Sequence, residues 1–311
     1  MVDDRSAFIQ VVEVWVPEGN LLRHHSGSYG RHTDLARVSA STTFRRGQGL
    51  PGTAWSKGAP VVWPTLRHQF VRQAVVRDSG LRAGIAIPIF QMELMVAVLV
   101  LLFGDPDEAC GAIEVWEPKV DRLAHSGAYY GSLEPAFGNI SRRLTFPRGQ
   151  GLPGMTWLHG RPTLIDDLRS WDYFVRAVLA REYGVQSGIG IPFYRGGHVT
   201  QVVTLLSRER TPIARAFEVW SPDVNGNLRL QQSAYSADLA TFAAESRGHT
   251  FAPGEGLPGR AYQSGLPVVL GNIQVGPFVR HRAAEQAGLN VGVAIPIHDG
   301  KETIAVVVLL M

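Results

Sequence analysis

"RGQGLPG" occupies residues 46–52, returns unchanged at 148–154, and returns once more as "PGEGLPG" at 253–259. A glycine-rich loop can cradle a phosphate or can simply turn the chain. No Lys-Ser or Lys-Thr follows any copy, so the phosphate loop of ATPases does not fit. The glycines are better explained as a turn into a short helix.

The surroundings of each copy repeat as well. "EVWVP" (13–17), "EVWEP" (114–118) and "EVWSP" (218–222) open the repeats. A leucine and a tyrosine follow at fixed spacing: Leu22 and Tyr29, Leu123 and Tyr130, Leu228 and Tyr235. Thr-Phe precedes each glycine phrase, and an aromatic follows it: Trp55, Trp157, Tyr262. "FVR" comes next (70–72, 174–176, 278–280), then "GIAIPI", "GIGIPF" or "GVAIPI" and an apolar run. The recurring words span roughly 7–104, 111–207 and 215–311. A period of about 100 residues is that of a tandem of domains rather than a solenoid. The expected domain limits are 1–104, 105–210 and 211–311.

Each repeat reads as α/β of the α+β kind. "VVEVW" and the segment up to Tyr29 suggest a hairpin around Pro17-Glu18-Gly19-Asn20. "LPGTAWSKG" (50–58) suggests a short helix with proline in its first turn and Gly58 closing it, as Gly160 and Gly265 close the others. "FVRQAVVRDSG" (70–80) suggests an amphipathic helix with Phe70, Ala74 and Val75 on one side, ending at Gly80; its partners end at Gly184 and Gly288. In "GIAIPI" the isoleucines Ile85, Ile87 and Ile89 point one way. Gly84, Ala86 and Pro88 point the other, where a helix or a ligand can approach closely. "VAVLVLLF" (96–103) is apolar on both faces, which places it centrally with cover on both sides. Its equivalent "HVTQVVTLLS" (198–207) is more polar.

The chain has 311 residues, 45% of them apolar and 18% charged, which is a globular composition. The net charge of +3 and the scattered basic residues do not predict nucleic-acid binding. A single cysteine, Cys110, excludes an internal disulfide and a cysteine-based zinc site, and suggests a reducing compartment. The longest apolar run, "MELMVAVLVLLF" (92–103), is too short for a membrane span and carries Glu93. "MVDDRSAF" lacks the form of a secretory signal. A cytoplasmic or organelle-interior location is expected, a removed transit peptide being compatible with the latter.

Taken together these words resemble the GAF domain. The resemblance lies in a tryptophan-bearing first strand, the glycine phrase with its following aromatic, "DL…F.R…A…G", then "G..IPI" and an apolar strand. Repeat 2 carries the fullest version, from Arg148 to Phe193. The resemblance covers nearly the whole chain. It implies an antiparallel sheet with helices on both sides and a pocket between sheet and connecting helices. Family members bind small molecules there or serve only for association. The Asn-Lys-X-Phe-X-Asp-Glu signature of cyclic-nucleotide-binding members is absent. Cys110 lies between repeats, not where a bilin-linking cysteine would lie, and one cysteine cannot supply the chemistry of GAF-type methionine sulfoxide reductases. The segment "GDPDEACG" (104–111) does not suit a signalling helix.

The resemblance places Trp55, Phe70, Arg72, Trp157, Asp167, Phe174, Arg176, Tyr262, Phe278 and Arg280 around the three pockets. The arginines are suited to grip an anion or, more simply, to bond loop carbonyls. Glu13, Glu114 and Glu218 alternate with tryptophans on one strand face and are placed to pair with helix arginines. Asp166 and Asp167 occur only in repeat 2. His24, His25, His125, His159, His198 and His298 show no common alignment, so no shared metal site is expected. No nucleophile, base and orienter recur, so we expect no enzymatic activity and no cofactor. Without flanking helices, one apolar sheet face of each repeat would stand in water unless it packs on another repeat's sheet or on another protein. Three copies cannot all pair one to one within a monomer, which leaves at least one face for a partner. We therefore expect a protein-interaction or regulatory subunit that associates with partners or itself through exposed sheet faces. The alternative is a sensor that binds a small molecule in one or more pockets.

Overall fold

A computed structural model describes residues 8–66, 70–77, 79–104, 111–134, 136–208 and 212–311. Cys110 and most of "GDPDEACG" lie outside the described residues, as does most of "MVDDRSAF".

In the first repeat the β-rich run after Phe8 makes β1 (Ile9–Glu18) and β2 (Leu21–Ser28), a hairpin turned at Gly19. There follow α1 (Thr33–Ser41), β3 (Thr43–Arg45), α2 (Gly49–Lys57), β4 (Val61–Trp63), α3 (Gln73–Val76), β5 (Ala83–Gln91) and β6 (Leu94–Phe103). The second repeat contains β7 (Gly111–Lys119), β8 (Arg122–Tyr129), α4 (Ala136–Ser141), β9 (Thr145–Pro147) and α5 (Gly151–His159). It continues through β10 (Thr163–Ile165), α6 (Ala177–Tyr183), β11 (Val185–Arg195) and β12 (His198–Arg208). The third contains β13 (Ala216–Pro222), β14 (Leu228–Tyr235), α7 (Ala240–Gly248), β15 (Thr250–Phe251) and α8 (Gly256–Ser264). It ends with β16 (Val268–Leu270), α9 (His281–Gln286), β17 (Gly292–His298) and β18 (Thr303–Leu310). Each repeat forms one six-stranded antiparallel sheet, ordered β3-β2-β1-β6-β5-β4 in the first and equivalently in the others.

The glycine phrase is a closed turn. Gly47 N–H donates to the Gly52 carbonyl at 2.7 Å, and Gly47 and Gly49 adopt φ of +79° and +61°. A Cβ on Gly52 would lie 2.1 Å from the Arg45 carbonyl oxygen, which only glycine avoids. The second and third copies close the same way, Gly149 on Gly154 and Gly254 on Gly259. The following helices end on Gly58, Gly160 and Gly265 in the left-handed conformation, as expected.

The predicted amphipathic helix over 70–80 is shorter. Only Gln73–Val76 is helical, Ala74 is exposed and Val76 is buried. The reason lies in "FVR": Phe70 and Arg72 both turn inward while Val71 faces out, an alternation that a helix cannot provide.

The two faces of each sheet meet different partners. The small-residue face of β5 receives α2, with Leu50 against Gly84; a helix, not a ligand, makes the close approach. The isoleucine face meets the other two sheets. Ile85, Ile87 and Ile89 share one buried cluster with Ile189, Ile191 and Phe193 and with Val293, Ile295 and Ile297. No helix residue belongs to that cluster. Among the described residues helices cover one face of each sheet, and the other face, which the reading without flanking helices left bare, is covered by the neighbouring sheets.

Contacts between repeats run in a cycle. β4 packs on β8, β10 on β14, and β16 on β2. At one seam Gln232 bridges the repeats, accepting from Leu164 N–H at 2.8 Å and donating to the Pro162 carbonyl at 3.2 Å. Phe103 stacks on Tyr129 at 5.5 Å at another. Hairpin ends meet as well, where Arg195 Nε donates to Glu93 Oε2 at 2.8 Å. The three repeats form a closed ring around a common core. The exposed sheet faces expected to recruit partners are therefore buried within the chain. Three faces do not have to pair one to one when they can meet around an axis. Each fully buried isoleucine there contributes about 2 kcal/mol.

Candidate functional site

The same buried constellation stands between sheet and helices in every repeat. The first strand brings in a glutamate, "FVR" an arginine, and the helix before the Thr-Phe pair a serine. Glu13, Glu114 and Glu218 are inaccessible to solvent, and Arg72, Arg176 and Arg280 are 4%, 3% and 1% exposed. Arg72 Nη2 donates to Glu13 Oε2 at 2.9 Å, Arg176 Nη2 to Glu114 Oε2 at 3.0 Å, and Arg280 Nη2 to Glu218 Oε2 at 2.9 Å. Each Nη1 donates to the other carboxylate oxygen and to the serine hydroxyl, Ser39, Ser141 or Ser246. The serine in turn donates to the carbonyl four residues earlier, at 2.6 Å for Leu35 and 2.7 Å for Phe137 and Phe242. Its lone pairs are thereby turned toward the guanidinium.

Aromatic rings close the remaining sides. The Arg72 guanidinium lies 4.7 Å from the Phe70 ring centre, Arg176 is 5.2 Å from Phe174, and Arg280 is 5.2 Å from Phe278. Indole N–H groups complete the carboxylates: Trp15 donates to Glu13 at 3.0 Å and Trp220 to Glu218 at 2.9 Å. Repeat 2 differs at one position. Thr204, where β6 and β18 carry Val100 and Val308 opposite their glutamates, donates to Glu114 at 3.0 Å and accepts from Trp116 at 3.3 Å. This is the polar character visible in "HVTQVVTLLS".

Electrostatics follows the geometry. Burial works to raise each glutamate's pKa, but the neighbouring arginine charge and the hydrogen bonds outweigh it, holding all three below the ordinary carboxylate value. Burial first, then the carboxylate charge, pushes the phenols of Tyr29, Tyr130 and Tyr235 up. Tyr130 and Tyr235 hydroxyls donate to Glu114 at 3.1 Å and Glu218 at 2.8 Å, while Tyr29 meets His24 Nε2 at 2.8 Å.

The predicted pocket residues fall into two groups. Arg72, Arg176 and Arg280, with Phe70, Phe174 and Phe278, come together around the glutamates. The arginines bond carboxylate and serine rather than loop carbonyls, because a buried guanidinium needs a counter-charge. Trp55 and Trp157 are buried on α2 and α5, each with a stacked arginine outside, Arg46 at 4.6 Å and Arg148 at 4.3 Å. Tyr262 packs on the helix-side core of repeat 3. Asp167 stands apart: it accepts from Arg169 Nε at 2.9 Å and lines a cleft between repeats 2 and 3.

Two features escaped sequence reasoning. The serines were missed, although each stands four residues before Thr-Phe. The histidines do align in part: His24 packs edge-on against Trp15 and His125 against Trp116, at 5.3 and 5.4 Å. In repeat 3 the residue opposite the tryptophan is Leu230. Among the described residues no group of histidine, cysteine and carboxylates is placed to hold a metal, and no helix is long and apolar enough to cross a membrane.

Residues 212–310 match the family model of the GAF domain. No curated protein matches the chain. Among solved structures, the chain is similar to the GAF domain of nlh2 from A. aeolicus in an inactive state, at 24% identity and a TM-score of 0.25; the match covers 31% of this chain and 58% of that one. It is similar to free methionine-R-sulfoxide reductase from Neisseria meningitidis in complex with its substrate, at 20% identity and a TM-score of 0.25, over 30% of this chain and 52% of that one. It is also similar to the GAF domain of a phosphoenolpyruvate-protein phosphotransferase from Coxiella burnetii, at 11% identity and a TM-score of 0.26, over 30% and 56%. The matches span a little over half the length of these structures. The expectation that the chain is not an enzyme is corrected: free methionine-R-sulfoxide reductases stand among the similar structures.

Proposed function

We propose that this chain, built of three GAF-like domains at 1–104, 105–210 and 211–311, is a protein-interaction module. It acts as a regulatory subunit that meets its partner through the outer rim of the ring, in a reducing compartment. The observation that carries this is the apolar rim. Tyr173, Val175 and Val178 are 68%, 66% and 68% exposed, far more than a packed valine or tyrosine. Trp171 lies 5.9 Å from Tyr173, and Val71 and Val279 stand exposed at the equivalent "FVR" positions. What supports it over a sensor using the domain pockets is the constellation above. An arginine, a glutamate and an aromatic already fill the space where a ligand would sit.

The test is a Tyr173→Ser/Val175→Ser variant compared with the native chain by native mass spectrometry from its own source. Loss of a stoichiometric partner, with unchanged unfolding, supports the reading. A partner retained by the variant, or a small molecule released with no partner present, contradicts it.

A further inference from the structure

The seam between repeats 2 and 3 opens into a cleft of about 420 Å³, the size of a small-metabolite site. Both repeats build it. Asp166 and Asp167 come from the loop after β10, Arg208 from the end of β12, Arg215 from just ahead of β13, and Arg247 from the last turn of α7.

The five charged side chains differ in what they already hold. Arg215 Nη1 donates to the carbonyls of Ala287 at 2.7 Å and Gly288 at 3.1 Å, and its Nη2 bonds Asp238 at 2.5 Å. It is fixed in place. Asp167 is held by Arg169. Among the described residues, Arg208 and Arg247 have neither hydrogen bond nor ion pair, and Asp166 has no cationic partner. With Arg215 already neutralised by Asp238, the cationic capacity left over in the cleft is that of Arg208 and Arg247, and a guanidinium without a counter-charge is a ready partner for an anion.

We propose that this cleft binds a small anionic metabolite with two chemically distinct ends. Its phosphate or carboxylate lies between Arg208 and Arg247, and an amine or hydroxyl at the other end meets Asp166. Because the walls belong to two repeats, the bound molecule ties one seam of the ring. None of the exposed apolar residues of the rim lines this cleft, so its failure leaves the interaction reading untouched.

The experiment is calorimetric titration of the full chain with two probes, inorganic phosphate and O-phosphoserine, the second carrying an ammonium group. Both bind, and O-phosphoserine binds about tenfold tighter. Arg208→Gln and Arg247→Gln each weaken both probes about tenfold, while Arg148→Gln, at an arginine that stacks on Trp157 outside the cleft lining, changes neither. Asp166→Asn removes the preference for O-phosphoserine and leaves phosphate binding intact. No binding of either probe at millimolar concentration overturns the proposal, as does binding that survives both arginine substitutions.

Discussion

Arg280 and Glu218 stand 62 residues apart in sequence and meet in two parallel hydrogen bonds, 2.5 Å and 2.9 Å long, with both side chains sealed from water. A bidentate pair in that setting stabilises only as a pair, since either charge alone would be buried without compensation. Arg280→Leu is therefore expected to destabilise the protein by about 3–5 kcal/mol. Combining it with Glu218→Leu recovers most of the loss. Urea unfolding of the two variants checks this, and a double variant no better than the single one would contradict it.

Acid should unfold the ring through the same groups. Glu13, Glu114 and Glu218 have folded pKa values below their ordinary 4.5. A depressed carboxylate contributes stability that is fully present above pH 4.5 and is lost as pH falls through the lowered folded value. Stability measured from pH 5 down to pH 2 should drop, and the Glu218→Leu/Arg280→Leu variant should show a shallower slope.

A milder limb belongs to the histidines. Burial lowers His24, His125 and His298 below 6.5; at His298 it outweighs the hydrogen bond to the Gly265 carbonyl at 2.9 Å and the nearby Asp299 charge, which work the other way. Below pH 6.5 the unfolded chain gains protons that the folded one refuses, so stability declines from there toward the lowered values. An NMR titration should find His298 changing protonation below pH 6.5.

The glycines of the repeated phrase should differ in tolerance. A Cβ on Gly47 meets nothing within 4 Å and faces only its positive φ, so Gly47→Ala costs about 1 kcal/mol. At Gly259 a Cβ would stand 2.2 Å from the Ala252 carbonyl, and Gly259→Ala costs about 3 kcal/mol through forced backbone movement. Paired thermal unfolding curves distinguish the two.

Much of this was legible in the residues. The repeated words set the number of sheets, Gly58, Gly160 and Gly265 set helix ends, and the two-sided apolar run of 96–103 set a central strand. The alternation of Ile85, Ile87 and Ile89 announced a buried face but not its cover, because alternation carries no record of distant partners. Three faces sharing one axis is a property of the assembled chain. At the site, the glutamates and arginines were visible and their pairing was one of the options; Ser39, Ser141 and Ser246 were not seen. A serine on a short helix looks like any solvated serine until the arginine arrives.

The shared core makes the ring one cooperative body. Ile191 is buried among residues of all three sheets, so Ile191→Ala should remove about 3 kcal/mol from every repeat, not from the second alone. Hydrogen exchange of β6, β12 and β18 amides reads each repeat separately, and loss of protection confined to β12 would deny a common core.

The most direct test of the closed ring is small-angle X-ray scattering of the full chain. Three sheets around one core give a radius of gyration of about 20 Å, the value for a single compact body of this length. A radius near 30 Å, as for three domains of about 13 Å each laid in a line, would contradict the ring and return the isoleucine faces to solvent or to a partner.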